Sequence, residues 1–419
     1  MNLIYHKVAI RGISKIVKIL ILNAGSSSYK LAIFDFKQPN FSENEPFKAI
    51  WEGSLSWNGH KAKLSSRTGK QPPSDESIDN VDHRQALKHL LTIAQKSKAI
   101  DSLSEISIVG HRIVHGGSAF QEPTWITPTV KKTIASLIPL APLHNPINLE
   151  GIEICESMMP KARQAAVFDT AFHATISEPA STYPGPFEWK EQQIKRYGFH
   201  GINHEYCAQR TSFILKRDLS ELKIISCHLG NGASLAAIAK GKSIDTTMGF
   251  TPIEGLMMGS RCGSIDPGIQ LFLQQQKKLT TDKLFHILNY DSGLKGISGI
   301  SGDMRDILRL ISEGDVKAKL AYQIYLHYLK RHIGAMAGVL EGFDALVFTA
   351  GIGENVPQLR KEVCLSLNWL GLLLDEEKNE SITSDAIISS KHSKIHVLVL
   401  KAQEDWSIAN ACWNLASIS

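Results

Sequence analysis

The stretch Ile19-Leu-Ile-Leu22, Asn23-Ala-Gly-Ser-Ser-Ser28, Tyr29-Lys-Leu-Ala-Ile-Phe34 decides the fold. A short apolar run, a turn of small residues and a second apolar run predict a β-hairpin. The pattern returns as Ile224-Ile-Ser-Cys-His-Leu229, Gly230-Asn-Gly-Ala-Ser234, Leu235-Ala-Ala-Ile238. With Gly25 set on Gly230, an offset of 205 residues, Ala32 falls on Ala237 and Ile33 on Ile238. That offset is close to half of the 419 residues. It predicts two similar α/β halves, each opening with a strand–turn–strand that offers backbone N–H groups to a phosphate.

Outward from these hairpins, apolar spacing predicts a helix over 82–98 and a strand at Ile106-Ser-Ile-Val109 leading into His111-Arg-Ile-Val-His-Gly-Gly117. The proline-rich stretch 178–186 reads as an irregular surface loop. A long helix is expected over 317–342, then a buried strand Ala345-Leu-Val-Phe-Thr349 entering the turn Ala350-Gly-Ile-Gly-Glu-Asn355. Ile395-His-Val-Leu-Val-Leu400 is the last strand, and a helix from about Trp406 closes the chain. Strands alternating with helices indicate an α/β fold.

Composition narrows the function classes. The chain is 43% hydrophobic and 21% charged, the profile of an ordinary globular protein and not of a disordered or collagen-like one. The net charge of +5 is small for this length and argues against a nucleic-acid partner. The basic excess sits at the start: Lys7, Arg11, Lys15, Lys18 and Lys30 precede the first acidic residue, Asp35. Residues 1–16 are expected to be a disordered extension, with Val17 marking an alternative start. Lys7, Arg11, Lys15 and Lys18 would also share one face of an amphipathic helix. No apolar run is long enough to span a bilayer, so no stable membrane association is expected. Cys155, Cys207, Cys227, Cys262, Cys364 and Cys412 are scattered, which suits free thiols in the cytoplasm.

Three glycine-containing turns after strands (23–28, 228–232 and 350–355) suggest phosphate cradles. A P-loop does not fit, because the glycine it needs before Gly241-Lys242-Ser243 is Ala236. Nor is there a protein-kinase catalytic loop; Arg112 is followed by Ile113. Nine motifs then become specific. They are LNAGSSSYK (22–30), HRIVHGG (111–117), PLHNP (142–146), FDTAFH (168–173), RYGFHG (196–201), CHLGNGAS (227–234), GFTPIEGLMMGSR (249–261), SGISGDMRDI (298–307) and FTAGIGEN (348–355). In this order and spacing the chain resembles the acetate and propionate kinase family.

The resemblance implies two duplicated ribonuclease-H-like, actin-like ATPase domains with an active-site cleft between them. Domain I would comprise 17–168 plus 406–419, and domain II, nucleotide-binding and dimerising, 169–405. The implied reaction is reversible, Mg2+-dependent phosphoryl transfer from ATP to acetate, giving acetyl phosphate and ADP, in a homodimer; Mn2+ could replace Mg2+. Asn23 and Glu404 would place the metal, and Lys30 would lie near the phosphates. His228, Leu229, Gly230, Asn231 and Gly232, with Gly351, Ile352, Gly353, Glu354 and Asn355, would hold ATP. Asp303, Met304 and Arg305 would surround base and ribose. Arg112 and Arg261 would bind the carboxylate and the transferring phosphoryl group, and His200 would stabilise the transition state. Val114, Leu143, Phe199 and Pro252 would line the methyl pocket, and Asp169 is the residue the family treats as acid or base.

The chemistry is consistent with these roles. A carboxylate attacking a triphosphate brings two anions together, so catalysis is charge neutralisation and in-line positioning. Planar guanidinium groups bond bidentately to carboxylate and phosphate and stay charged. Acetate, with a pKa on the order of 4–5 by analogy with Asp and Glu, is already ionised and needs no base. Asp169 is therefore expected to orient magnesium or Arg261. Departures from the family pattern are Ser264 where a carboxylate is usual, Ile202 and Asn203 in Gly201-Ile-Asn-His204, Gln403 before Glu404, and Ala350 where a glycine is usual. The alternative within the class is a propionate or other short-chain carboxylate kinase, with Val114 as discriminator.

Overall fold

The computed structural model describes residues 17–25, 28–36, 46–58, 61–79 and 82–418. The expected extension at 1–16 and two serines of the first turn, Ser26 and Ser27, lie outside them. The described residues divide into two compact units, one running to Phe168 and resuming at Glu404, the other Asp169–Gln403. The return to the first unit thus comes at Glu404, two residues before the expected Trp406.

In the first unit, Ile19, Leu20, Ile21 and Leu22 are all fully buried or nearly so. A run apolar on both faces can only be a central strand. It is β1 (Val17–Ala24), paired antiparallel to β2 (Ser28–Phe36). The sheet continues through β3 (Trp51–Asn58), β4 (Lys61–Thr68) and β5 (Ser74–Asp79) on one side. On the other side lie β6 (Ile106–Ile113), β7 (Thr124–Trp125) and β8 (Arg163–Phe168), in the order β5-β4-β3-β2-β1-β6-β8-β7. β1, β6 and β8 run parallel; β7 is antiparallel to β8.

The helix His83–Lys96 lays Ala86, Leu87, Leu90, Leu91 and Ala94 on this sheet, in one core with Leu20, Leu22, Leu31 and Leu55. Each such leucine contributes roughly 1.5–3 kcal/mol on burial. Its start is set by Asp82, which accepts from Gln85 N while the Gln85 side chain returns to Asp82 N.

The second unit contains β9 (Lys223–Leu229), β10 (Ala233–Ala239), β11 (Lys242–Thr246), β12 (Ala345–Thr349), β13 (Ala386–Ile387) and β14 (His396–Val399). Their order is β11-β10-β9-β12-β14-β13. β9 and β10 are antiparallel, β9, β12 and β14 parallel, and β13 antiparallel to β14. This is strand for strand the order β3-β2-β1-β6-β8-β7 of the first unit. Both hairpins have a three-residue connection, 25–27 and 230–232. The duplication expected from the 205-residue offset is therefore present in topology.

Three local expectations need correction. The stretch 178–186 holds a short helix, Glu178–Ser181, because Pro179 sits in the first turn, where a missing N–H costs nothing. The turn expected at 350–355 is instead a short helix, Ala350–Asn355. Ala350, at φ 65°, makes the left-handed turn out of β12. The strand begun at Ile106 runs on to Ile113, so Arg112 stands on a strand.

Candidate active site

In the first unit, the ends of β1 and β6 carry the polar groups. Leu22 pairs with His111, which sets Asn23 beside Arg112. Arg112 Nη1 donates to Asn23 Oδ1 at 3.1 Å. Asn148, buried on the helix Asn145–Met158, donates through Nδ2 to Ala24 O at 2.9 Å and accepts from Val114 N at 3.2 Å. It thus ties the first turn to Val114, whose side chain is 7% exposed. Asn145, one turn earlier, clamps both backbone groups of His115. Leu143 is half-buried just ahead of this helix.

Glu404 opens the helix Glu404–Ile418, followed by Asp405. Burial and the Glu404 charge push the Asp405 carboxyl up to about 6, against the pull of Lys30 and Arg112. Asp405 Oδ1 is buried without a hydrogen-bond partner. The donors here are an amide oxygen and carboxylates, all hard oxygen ligands of the kind magnesium accepts while keeping most of its water. An added cation would relieve the Glu404–Asp405 repulsion, so the residues present fit that ion. Lys30 lies on the exposed face of β2 and lines a cavity of about 440 Å³ with Glu52, Ser54, Arg67 and Asp405.

The second unit gathers its groups around the start of the helix Gly201–Leu215. His200, the residue before it, sits in the left-handed region at φ 59°, a conformation costly for a non-glycine residue and kept where the surroundings enforce it. Two contacts enforce it. His173 Nε2 donates to Phe199 O at 3.1 Å, and Gly201 N donates to Asp169 O at 2.8 Å. A Cβ on Gly201 would lie 2.3 Å from that Asp169 oxygen, which explains the glycine. Asp169 and Phe199 are both 1% exposed.

The His200 ring stacks on His228 at 4.0 Å between centroids. Asn203 donates to His228 Nδ1 at 2.9 Å, so the asparagine that departs from the family pattern orients this ring. His200 Nδ1 meets Ser234 Oγ at 2.9 Å.

Arg261 reaches the same place from the loop 247–264. Its Nη1 donates to Pro252 O at 3.1 Å. A Cβ on Gly232 would lie 3.5 Å from His200 Nε2 and 3.7 Å from Arg261 Nη1. An imidazole and a guanidinium therefore converge on the glycine turn, where an extra atom would stand between them. The turn is held from below, since Gly259 N donates to Asn231 O at 3.0 Å. Ser264 has a role of its own in the loop. It bonds both backbone groups of Gly255, its Oγ accepting from Gly255 N at 3.0 Å, and so closes the loop.

The other expected residues are placed as follows. Leu229 is fully buried, whereas Gly230 is half-buried and Asn231 exposed. Gly351 and Asn355 are exposed, with Asn355 Nδ2 donating to Gly351 O; Ile352 and Gly353 are buried. Glu354 accepts from Ala402 N at 2.9 Å and pairs with Lys401. Asp303 caps the helix Met304–Ser312 and pairs with the exposed Arg305, while Met304 is 2% exposed. Four residues escaped the sequence reading: Asn148, His204, Ser234 and Arg360. Arg360, 1% exposed, donates to Gly353 O and Glu354 O and fixes the segment 350–355. The only sequence signal was their place in or near motifs; Asn148, His204 and Ser234 act on partners distant along the chain.

Among the described residues no helix is long and apolar enough to cross a membrane. The model of the acetokinase family matches residues 18–410. The chain is 50% identical over 401 residues to an acetate kinase of Gloeobacter violaceus, covering 95% of this chain and 99% of that one. A crystal structure of Porphyromonas gingivalis acetate kinase superposes with a TM-score of 0.86 at 37% identity, covering 96% of this chain and 100% of that one. A propionate kinase from Francisella tularensis also gives a TM-score of 0.86, at 35% identity, covering 95% of this chain and 99% of that one.

Proposed function

Because the chain belongs to the acetokinase family, whose members phosphorylate carboxyl groups, we propose that it interconverts ATP and acetate with ADP and acetyl phosphate. The observation that carries this reading is the convergence of His200 and Arg261 on the Gly230–Gly232 turn. Two nitrogen donors, one permanently charged, aimed at one small volume suit a migrating phosphoryl group.

In the forward direction an acetate oxygen forms a bond to the γ-phosphorus while the bond to ADP breaks in line. The nucleophile is already anionic, so no proton is removed. Arg112, fixed against Asn23, binds the acetate carboxylate. Arg261 and His200 meet the charge on the equatorial phosphoryl oxygens, and the backbone of 228–232 holds the phosphates. Lys30 adds charge near the phosphates, the segment 351–355 supports the nucleotide, and Asp303 to Arg305 border base and ribose. Asn23 and Glu404 would hold Mg2+, or Mn2+ in its place, which when bound neutralises phosphate charge. Asp169, buried beneath Gly201, orients Arg261 or that ion. An Asp169→Asn variant rescued by excess magnesium supports this role; a loss indifferent to magnesium counts against it.

A second copy of the chain is the proposed partner, through the second unit. The helix Pro267–Lys277 buries none of its residues, and Leu271 and Phe272 are 58% and 55% exposed. An apolar helix face of this kind ordinarily has a covering surface.

Acetate is preferred over propionate because the branched Val114 side chain, with Leu143 of the same unit, limits the room for a longer acyl chain. One methylene is worth about 1–3 kcal/mol, so propionate should turn over with kcat/KM roughly tenfold lower. Val114→Ala should narrow that gap. A native enzyme that uses propionate as well as acetate would make it a short-chain carboxylate kinase instead.

A further inference from the structure

His200 is one end of a line of buried side chains. Its Nδ1 lies 2.9 Å from Ser234 Oγ, which lies 2.8 Å from His204 Nε2, and His204 Nδ1 lies 2.9 Å from Ser226 Oγ. Beyond Ser226 the same helix face carries Cys207, whose thiol lies near Thr349 and Ser226. Cys207, His204, Ser226 and Ser234 are all 0% exposed. The line follows from sequence spacing. His200, His204 and Cys207 recur at i, i+4 and i+7, one face of a helix. That face meets the two serines on the antiparallel pair β9 and β10, Ser226 opposite Ala236 and Ser234 opposite His228.

Protons in this line can be ordered in two ways. Burial, with His173 and His228 close by, holds His204 far below its ordinary pKa, so it carries one ring proton. Each serine has one proton as well. In the first order, Ser226 donates to His204 Nδ1, His204 Nε2–H donates to Ser234, and Ser234 donates to His200 Nδ1. In the second order every bond is reversed, and Ser226 passes its own proton toward the Cys207 sulfur, a weak acceptor. The first order spends the Ser226 proton on an imidazole nitrogen at 2.9 Å, a better acceptor than the sulfur of a thiol that burial pushes up to about 12 and so keeps protonated. It also leaves a neutral His200 with its proton on Nε2, the atom that shares the Gly232 volume with Arg261.

We propose that Ser234 is a positioning residue that fixes the His200 tautomer, so that Nε2–H is presented to the transferring phosphoryl group without His200 having to be cationic. What His200 donates to rests on the reaction proposed above; the tautomer does not. The ring has His228 stacked on it, Arg261 across Gly232, and Ser234 with His204 behind.

The test uses the full-length chain and two readouts: nitrogen NMR of histidine-labelled protein without substrate, and steady-state kinetics. His200, assigned by the signal missing in His200→Gln, should be the Nε2–H tautomer in the native protein. Ser234→Ala should give a tautomer mixture and lower kcat roughly tenfold to thirtyfold, short of the 10²–10³ typical of deleting a donor outright. KM for acetate should stay within about twofold, because binding and transition-state contacts are lost separately. Ser234→Thr, which keeps the hydroxyl, should restore kcat and tautomer together. A native His200 protonated on Nδ1, or a folded Ser234→Ala enzyme with native kcat, overturns the proposal. If Ser234→Ala does not fold, the native tautomer decides alone. Absence of acetate-dependent turnover in the native chain would instead defeat the reaction, while leaving the tautomer measurable.

Discussion

The two hairpins are built to one plan and spend their strands differently. In the first, β1 and β2 bury Leu20, Leu22, Tyr29, Leu31 and Ile33, and the polar groups near the turn come from Arg112 on β6 and Asn148 on a helix. In the second, β9 and β10 themselves carry Ser226, His228 and Ser234 into the interior, where a helix answers with His204 and Asn203. A buried polar network is tolerable only when its members are paired. The second hairpin meets that condition for its serines with histidines, which can both donate and accept, while Asn203 Oδ1 is left buried without a partner. The same scaffold thus supplies a rigid apolar platform in one unit and an oriented set of donors in the other.

That contrast can be broken most sharply at the two arginines. Arg261→Ala should lower kcat by about 10²–10³ or more, as for loss of a transition-state donor. Arg112→Ala should act mainly by raising KM for acetate. Steady-state kinetics with acetate and ATP varied in turn would check both; equal effects on the same parameter would erase the division of labour.

The turns give the next largest effect. Gly232→Ala places a Cβ between His200 and Arg261 and should reduce kcat roughly tenfold with little change in stability. The matching change, Gly25→Ala, meets the Ser28 carbonyl oxygen at 3.3 Å and should leave kcat within about threefold. A similar loss from both would mean that the turns are equivalent after all.

Acid should weaken both units over one window. Burial lowers His111 and His115 in the first unit, and His173 in the second, to about 4, and holds His204 well below its ordinary value. Between the ordinary value near 6.5 and about 4 the unfolded chain binds more protons than the folded one, so stability rises with pH there. It is complete above about 6.5 and is lost as pH falls toward 4. Denaturant midpoints measured from pH 8 down to 4 would show this. A flat profile would mean that these histidines are solvated.

The smallest effect is at Ala350, the alanine held at φ 65°. Ala350→Gly should relieve strain of about 1–2 kcal/mol, offset by the extra chain entropy of glycine, about 0.5–1 kcal/mol. A rise in Tm of one to three degrees is expected, on the order of 2–4 °C per kcal/mol for a unit of this size. A fall would show that the helix 350–355 is not strained at its start.

The duplication was legible because a central strand announces itself by continuous apolar residues, and two such runs with glycine turns recur at one offset. The segment 350–355 was misread because its glycines suggested a loop. Yet Ala350 makes the turn, and Arg360, buried against Asn379 and the carbonyls of Gly353 and Glu354, holds the rest helical. β4 and β5 were missed because charged residues and serines predominate in them, as suits strands lying toward one edge of the sheet. Ser234 was visible only as the last letter of a motif. Its meaning depends on two histidines 34 and 30 residues away. Residues that act directly on a substrate recur in motifs with glycine and charge, whereas residues that aim them leave no local pattern.

The most direct test of the central claim is acetate-dependent consumption of ATP by the purified full chain, with acetyl phosphate trapped as the hydroxamate. The native chain should form hydroxamate in proportion to acetate, lose it in Arg261→Ala, and in Arg112→Ala form it only at much higher acetate. ATP consumption that proceeds without acetate, or hydroxamate formation that survives both substitutions, would contradict it.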